Sequence, residues 1–187
     1  MRTLFLQAPS YDGFDGGAGS RYQARREIRS FWYPTWLAQA AAMVPGSKLI
    51  DSIPHGIRMP EILRQAGDYD LAVLHTSSPS FPDDVKALQA LKSANPRLKA
   101  GFVGAKVAVQ PDESLKYSDA IDFVARNEFD FTIKELAEGR DWSEIDGLSF
   151  RNGQGAIVHN KERAILENMD ALPFVTEVYK RDLAIEK

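Results

Sequence analysis

Four hydroxyls fall within five residues at Thr76-Ser77-Ser78-Pro79-Ser80. Such a loop offers hydrogen bonds without charge, which suits ligand amide groups. Capping of a following helix accounts for Ser80 and Ser78 but not for the whole set. A second stretch, Gly13, Gly16, Gly17, Gly19 and Ser20, has the composition of a phosphate loop. A dinucleotide cradle needs G-x-G-x-x-G in a tight strand-to-helix turn, with backbone N–H groups aimed at pyrophosphate. Gly17-Ala18-Gly19-Ser20-Arg21-Tyr22 lacks the third glycine and lies far before the next helix, near Tyr33. A flavin phosphate loop would also be more compact. A phosphoryl receiver needs acidic residues after its first and third strands, where this chain has Gln7-Ala8-Pro9 and His75-Thr76-Ser77. What remains is a large ligand whose polar rim is read by several loops. The other candidates are weaker. His55 is expected to be a solvated loop residue, His75 a buried, hydrogen-bonded one, and His159 structural. Asp83 with Asp84 suits a helix start, and Asp12 with Asp15 lies in a loop, so neither is an acid–base pair.

The whole composition narrows the classes. The chain has 187 residues, 44% hydrophobic and 26% charged, enough for one cored domain with an extension. A net charge of −3 gives no global field for nucleic acid. Without cysteine, the chain holds no disulfide, zinc–thiolate or iron–sulfur site. No run of about 18 apolar residues spans a membrane, and Pro9 breaks the start too early for a signal peptide. A cytoplasmic domain is expected.

Strand and helix signals alternate. Arg2–Ala8 reads as a strand buried on both faces and Tyr33–Val44 as a helix with Trp36, Leu37, Ala40, Ala41 and Val44 on one side. Ser47–Ile53 is a strand and Pro60–Gly67 a short helix. Tyr69–Ser77 is a strand, and Ser78–Pro96 is the clearest helix, with Val85, Leu88 and Leu91 inward. Leu98–Gly104 is a strand, Gln110–Asp119 a weak helix, Ala120–Ala125 a strand, and Asp130–Gly139 a helix ending at glycine. This predicts an α/β fold of the flavodoxin-like (Rossmann-like) doubly wound kind, with a five-stranded parallel sheet in order 2-1-3-4-5. Residues 1–140 are expected to form that domain. Residues 141–187 are expected to form a β-hairpin extension around Asn152-Gly153-Gln154-Gly155 and an extended linker that buries little.

In an open parallel sheet, ligands sit beyond the carboxyl ends of the strands, at the switch in strand order. The loops there begin at Ala8, Pro9, Ser10 and Tyr11 after strand one and at Thr76, Ser77 and Ser78 after strand three. Strand four adds Val103, Gly104 and Ala105, and strand five adds Asn127, Glu128 and Phe129. Glu128 has two readings, a cap on the helix that follows or a partner for a ligand amide.

The segments "LFLQAPS", "DYDLAVLHTSSPSFPDDVKALQALKSANPRLKAGFVGAKVAVQPDESL", "IDFVARNEFDFTIKEL", "DGLSFRNGQGAIVHN" and "MDALPF" follow the order seen in B12-binding-domain radical SAM enzymes. Over roughly its whole length the chain resembles the N-terminal half of that family, and most resembles its hopanoid biosynthesis-associated members. The resemblance implies a domain holding cobalamin over the strand ends. A following barrel, absent from this chain, would carry a [4Fe–4S] cluster and S-adenosylmethionine. The implied partners are that barrel and a hopanoid lipid, with ring contraction of the bacteriohopanetetrol head group to a cyclitol as the reaction and a peripheral membrane location. The domain alone would be non-catalytic. A cobalamin-dependent radical SAM methyltransferase, or a ligand-free docking module, are the alternatives.

The match has departures. Where the family has Gly-Gly-Pro-His after strand four, this chain has Val103-Gly104-Ala105-Lys106. Where it has Gly-Glu-Gly-Glu-x-Thr after strand five, this chain has Asn127-Glu128-Phe129-Asp130-Phe131-Thr132. Phe129 either packs as an apolar residue or lies against the nucleotide tail. Asp-x-His-x-x-Gly is missing after strand one, so the cobalamin is expected base-off, without a histidine ligand, and no metal-binding residue is assigned. Arg21, Arg25, Arg26 and Arg29, interleaved with aromatics, are expected on a surface helix facing the barrel, with Gly13–Ser20 as a cover over the strand ends.

Overall fold

Alternation within the strands sorts the core. In β1 (Thr3–Gln7), Phe5 points to one face and Leu4 and Leu6 to the other; in β3 (Leu71–His75), Leu71 and Val73 oppose Ala72 and Leu74. Both faces are buried, as a parallel sheet covered by helices on each side requires. The structure, a computed structural model, describes residues 1–9 and 33–185. The glycine-rich stretch, the arginine cluster, Ser10 and Tyr11 lie outside the described residues.

The remaining elements are α1 (Thr35–Ala42), β2 (Lys48–Asp51), α2 (Ser52–His55), α3 (Met59–Arg64), α4 (Phe81–Ala94), β4 (Lys99–Val103), α5 (Ala105–Val109), α6 (Pro111–Tyr117), β5 (Phe123–Ala125), α7 (Asp130–Glu138), β6 (Leu148–Arg151), β7 (Ile157–His159) and α8 (Thr176–Val178), which runs into a π turn at Tyr179–Leu183. Pro82 occupies the first turn of α4, where its missing N–H costs nothing, and Asp83 and Asp84 follow it. Gly139 closes α7 in the left-handed conformation.

The sheet runs β2-β1-β3-β4-β5-β6-β7. The first five strands are parallel in the expected order 2-1-3-4-5. The expected count of five is corrected to seven. The hairpin is not an appendage, because β6 pairs antiparallel with β5 and β7 with β6. The physical reason is the outer edge of β5, which would leave a row of unpaired backbone groups. Buried Leu148 and Ser149 in β6 cover that edge, and the sheet ends on three-residue β7.

Other differences are local. The strand expected at Ser47–Ile53 stops at Asp51, where Ser52–His55 turns helical, and the weak helix at Gln110–Asp119 is preceded by the separate α5. The last stretch buries more than its extended pattern suggests. Val178, Tyr179 and Leu183 join the core beside α1. Asp182, with a side chain only 1% exposed, takes hydrogen bonds from Lys48 Nζ at 3.0 Å and the Leu49 N–H at 2.9 Å. The chain leaves β7 at one edge of the sheet and is clasped to β2 at the other.

Candidate functional site

The carboxyl ends of β3, β4 and β5 open into a cavity of about 650 Å³. Its floor is built of small residues, Gly104, Ala105 and Ala108, where β4 passes into α5. Gly104 is required there. Its φ is +121°, and a Cβ would stand 2.3 Å from the Thr76 carbonyl oxygen. Trp36, from the first turn of α1, and His75, at the end of β3, stack as one wall, 5.6 Å between ring centroids and 18° between planes. Phe129, 8% exposed, and Asn127 form the opposite wall. Among the described residues, no lysine, arginine or carboxylate lines this cavity.

Six of the residues expected at the site line this cavity: Thr76, Ser77, Gly104, Ala105, Asn127 and Phe129. The others stand elsewhere. Ala8 and Pro9 are buried at the end of β1, Ser78 is exposed, and Val103 is in the core. Glu128 caps nothing on α7; its carboxylate accepts the Leu166 N–H at 2.7 Å and fastens the C-terminal segment. Asn127 keeps a glycine's backbone, with φ at +53°. Asparagine is among the few side chains tolerated there, so the loop after β5 retains its path without glycine.

The hydroxyl loop is spent on the protein itself. Thr76 Oγ1 donates to Asp84 Oδ2 at 2.6 Å, and the Ser77 and Ser80 hydroxyls meet at 3.0 Å. The Ser77 N–H donates to Ser80 Oγ at 3.2 Å. Asp84 stands in the first turn of α4 as expected and, at 5% exposed, is also a buried carboxyl under the cavity floor. Burial pushes it up to about 7, against the lowering effect of the Thr76 and Ser80 hydrogen bonds. Near Glu128, burial likewise raises Asp130 to about 6.

The sequence reading missed four lining residues. Trp36 is 46% exposed, not part of the inward face of its helix. The signal was positional, since the first turn of a helix following a parallel strand lies beside the carboxyl ends of the sheet. His75 faces the cavity because β3 ends there. Ala108 and Val109 belong to the unforeseen α5. The other histidines lie away from the cavity. His55 sits between the carbonyls of Asp51 and Leu183, at 2.8 and 3.3 Å, and His159 Nδ1 is 2.8 Å from Ser149 Oγ. No group of three metal-ligating side chains occurs among the described residues.

No family model matches the chain. It is 26% identical over 158 residues to the uncharacterized methyltransferase PH0819 of Pyrococcus horikoshii, which covers 80% of this chain and 34% of that protein. Among solved structures it superposes on the cobalamin-dependent S-adenosylmethionine radical enzyme OxsB, with aqua-cobalamin and S-adenosylmethionine bound, at a TM-score of 0.65 and 14% identity. It also matches the radical S-adenosylmethionine methyltransferase TsrM from Kitasatospora setae, bound to cobalamin and a [4Fe-4S] cluster, at 0.64 and 13%. The chain shares its fold with part of these enzymes. It covers 88% and 92% of its own length in the two comparisons but 23% and 31% of theirs, and about a third of the curated relative. No helix among the described residues is long and apolar enough to cross a membrane.

Proposed function

We propose that this chain is a cobalamin-binding domain serving a radical S-adenosylmethionine enzyme. The observation that carries the reading is the cavity over the ends of β3, β4 and β5, with its small-residue floor and no charged side chain among the described residues that line it. A corrin is broad, flat and rimmed with amides, so its seat needs close backbone approach on one face rather than ion pairs. Gly104, Ala105 and Ala108 provide that approach, and Trp36 and Phe129 flank it. The residues present fit one face of the cofactor. Two positions where the resemblance has glycine behave differently: Asn127 preserves the glycine backbone, and Phe129 forms a wall.

Bound there, cobalamin would supply methyl-carrying or electron-transfer chemistry. The chain's own part is to seat it and exclude water from one face. A [4Fe–4S] cluster and S-adenosylmethionine belong to a partner barrel in this reading, since the chain has no cysteine. The base-off state rests on the absent Asp-x-His-x-x-Gly. Methyl transfer is supported by the name of the curated relative, and a hopanoid head group with ring contraction rests on sequence resemblance alone.

The second reading is a docking module without ligand, favoured by Phe129 joining the apolar core. Val103, which stands where the resemblance has glycine, is fully buried in the core and does not line the cavity. The test is to mix the chain with hydroxocobalamin, desalt, and record the visible spectrum. Retained base-off absorbance that Ala108→Trp abolishes supports the cofactor reading. A colourless protein, or retention indifferent to Ala108→Trp, overturns it.

A further inference from the structure

A second cavity, of about 700 Å³, opens at the opposite end of the same strands, where Lys99 begins β4, Asp122 precedes β5 and Arg151 ends β6. Five-residue β4 separates the two ends by about 17 Å. The apolar part is Trp142, Phe150 and Val158. Trp142 is a rigid platform. Its ring meets Phe123 and Phe150 edge-on, at 5.8 and 5.6 Å, and its carbonyl accepts from Asn160 Nδ2 at 2.6 Å.

Two basic side chains, Lys99 and Arg151, and two carboxylates line the cavity, and both carboxylates are engaged within the protein. The Asp122 carboxylate is committed to Lys92 at 2.6 Å and the Ala100 N–H at 2.8 Å. Asp141 is committed to the backbone N–H and hydroxyl of Ser143, at 2.8 and 2.5 Å. Lys99 has no carboxylate partner among the described residues, and its ammonium stands 5.8 Å over the Trp142 ring. Lys99 is exposed at the cavity mouth, so its ammonium is open to an entering anion. Arg151 pairs with Asp119 at 3.3 Å and donates to the Leu115 and Gly155 carbonyls through its two Nη atoms, while its buried Nε has no hydrogen-bond partner and its desolvation goes uncompensated.

We infer that this cavity is a binding site for a small planar monoanion, an aromatic or heteroaromatic carboxylate. The ring lies with Trp142, and the carboxylate is met by Lys99 with the Arg151 guanidinium beside it. The site is independent of any ligand at the carboxyl ends of the strands.

The test is isothermal titration of the full chain with 2-naphthoate and, separately, 2-naphthylmethylammonium, in wild type and in Lys99→Glu. Lys99 is exposed, so the substitution leaves the core intact. The expected result is saturable naphthoate binding about tenfold or more tighter than the cation, with the preference lost or reversed in Lys99→Glu. A second readout is the Trp142 indole N–H resonance, which naphthoate should shift in wild type. No saturable naphthoate binding, equal binding of the two probes, or naphthoate binding unchanged by Lys99→Glu would overturn the assignment.

Discussion

Replacing Asp84 by asparagine removes a buried titration from beneath the cavity floor. In the folded chain burial raises this carboxyl from 3.8 to about 7, with Asp83 adding a smaller push the same way and Thr76 and Ser80 pulling against it. A raised folded-state value means that the folded chain holds the proton more tightly than the unfolded one. Stability is therefore highest below the unfolded value and declines as pH rises from about 4 through 7. Three units at about 1.4 kcal/mol each set the loss at about 4 kcal/mol across that window, of which several-fold less would survive if water reaches the carboxylate. Asp84→Asn keeps an acceptor for the Thr76 hydroxyl but has no ionised form. Its stability should lie within about 1 kcal/mol of wild type near pH 4.5 and exceed it by about 2–4 kcal/mol at pH 8. Urea unfolding at half-unit pH steps, read as the midpoint at constant slope, measures this directly. Parallel profiles for the two proteins from pH 4.5 to 8 would refute the reasoning, because they would mean that Asp84 titrates normally and is hydrated.

Two substitutions test other parts of the frame. Gly104→Ala places a Cβ 2.3 Å from the Thr76 carbonyl at a φ of +121°, whereas Gly46→Ala, at φ +73°, meets nothing within 4 Å. The first should cost about 3 kcal/mol or more and the second about 1 kcal/mol in urea unfolding. At Asp182, burial alone would raise the carboxyl, but hydrogen bonds from Arg181, the Leu49 N–H and Lys48 outweigh it and hold it below the ordinary range. Asp182→Ala should lose about 2–3 kcal/mol at pH 7 and progressively less as pH falls below 4, with hydrogen exchange rising first at Val178–Leu183.

The parallel part of the fold was legible because its signals are local. The short apolar runs of β1 and β3, Pro82 and paired aspartates at the start of α4, and Gly139 after α7 each report on a few neighbouring residues. What was illegible depends on partners distant in sequence. Whether Leu148–Arg151 stands apart or pairs with β5 is decided by the exposed edge of β5, and an isolated hairpin reads the same either way. The tail looked extended because its burial comes from three residues, Val178, Tyr179 and Leu183, joined by one clasped carboxylate. Charge and spacing along the chain do not reveal that Asp182 meets Lys48.

The hydroxyl loop shows the same limit at the site and changes what the site selects. Counted along the sequence, Thr76, Ser77, Ser78 and Ser80 look like donors waiting for a ligand. In the fold, Thr76 serves Asp84 and the Ser77 and Ser80 side chains serve each other, while Ser78 faces solvent. A ligand entering the cavity therefore meets backbone, small aliphatic side chains and three rings, not a row of free hydroxyls. Such a surface discriminates mainly by shape. Adding bulk at Ala108 should matter more for binding than removing the Ser77 hydroxyl, because the first occupies the ligand's volume and the second removes a group already engaged with Ser80. The glycine that shape-selection does require, Gly104, packs against the carbonyl of the same Thr76 whose hydroxyl donates to Asp84, so the buried carboxyl and the cavity floor share one residue.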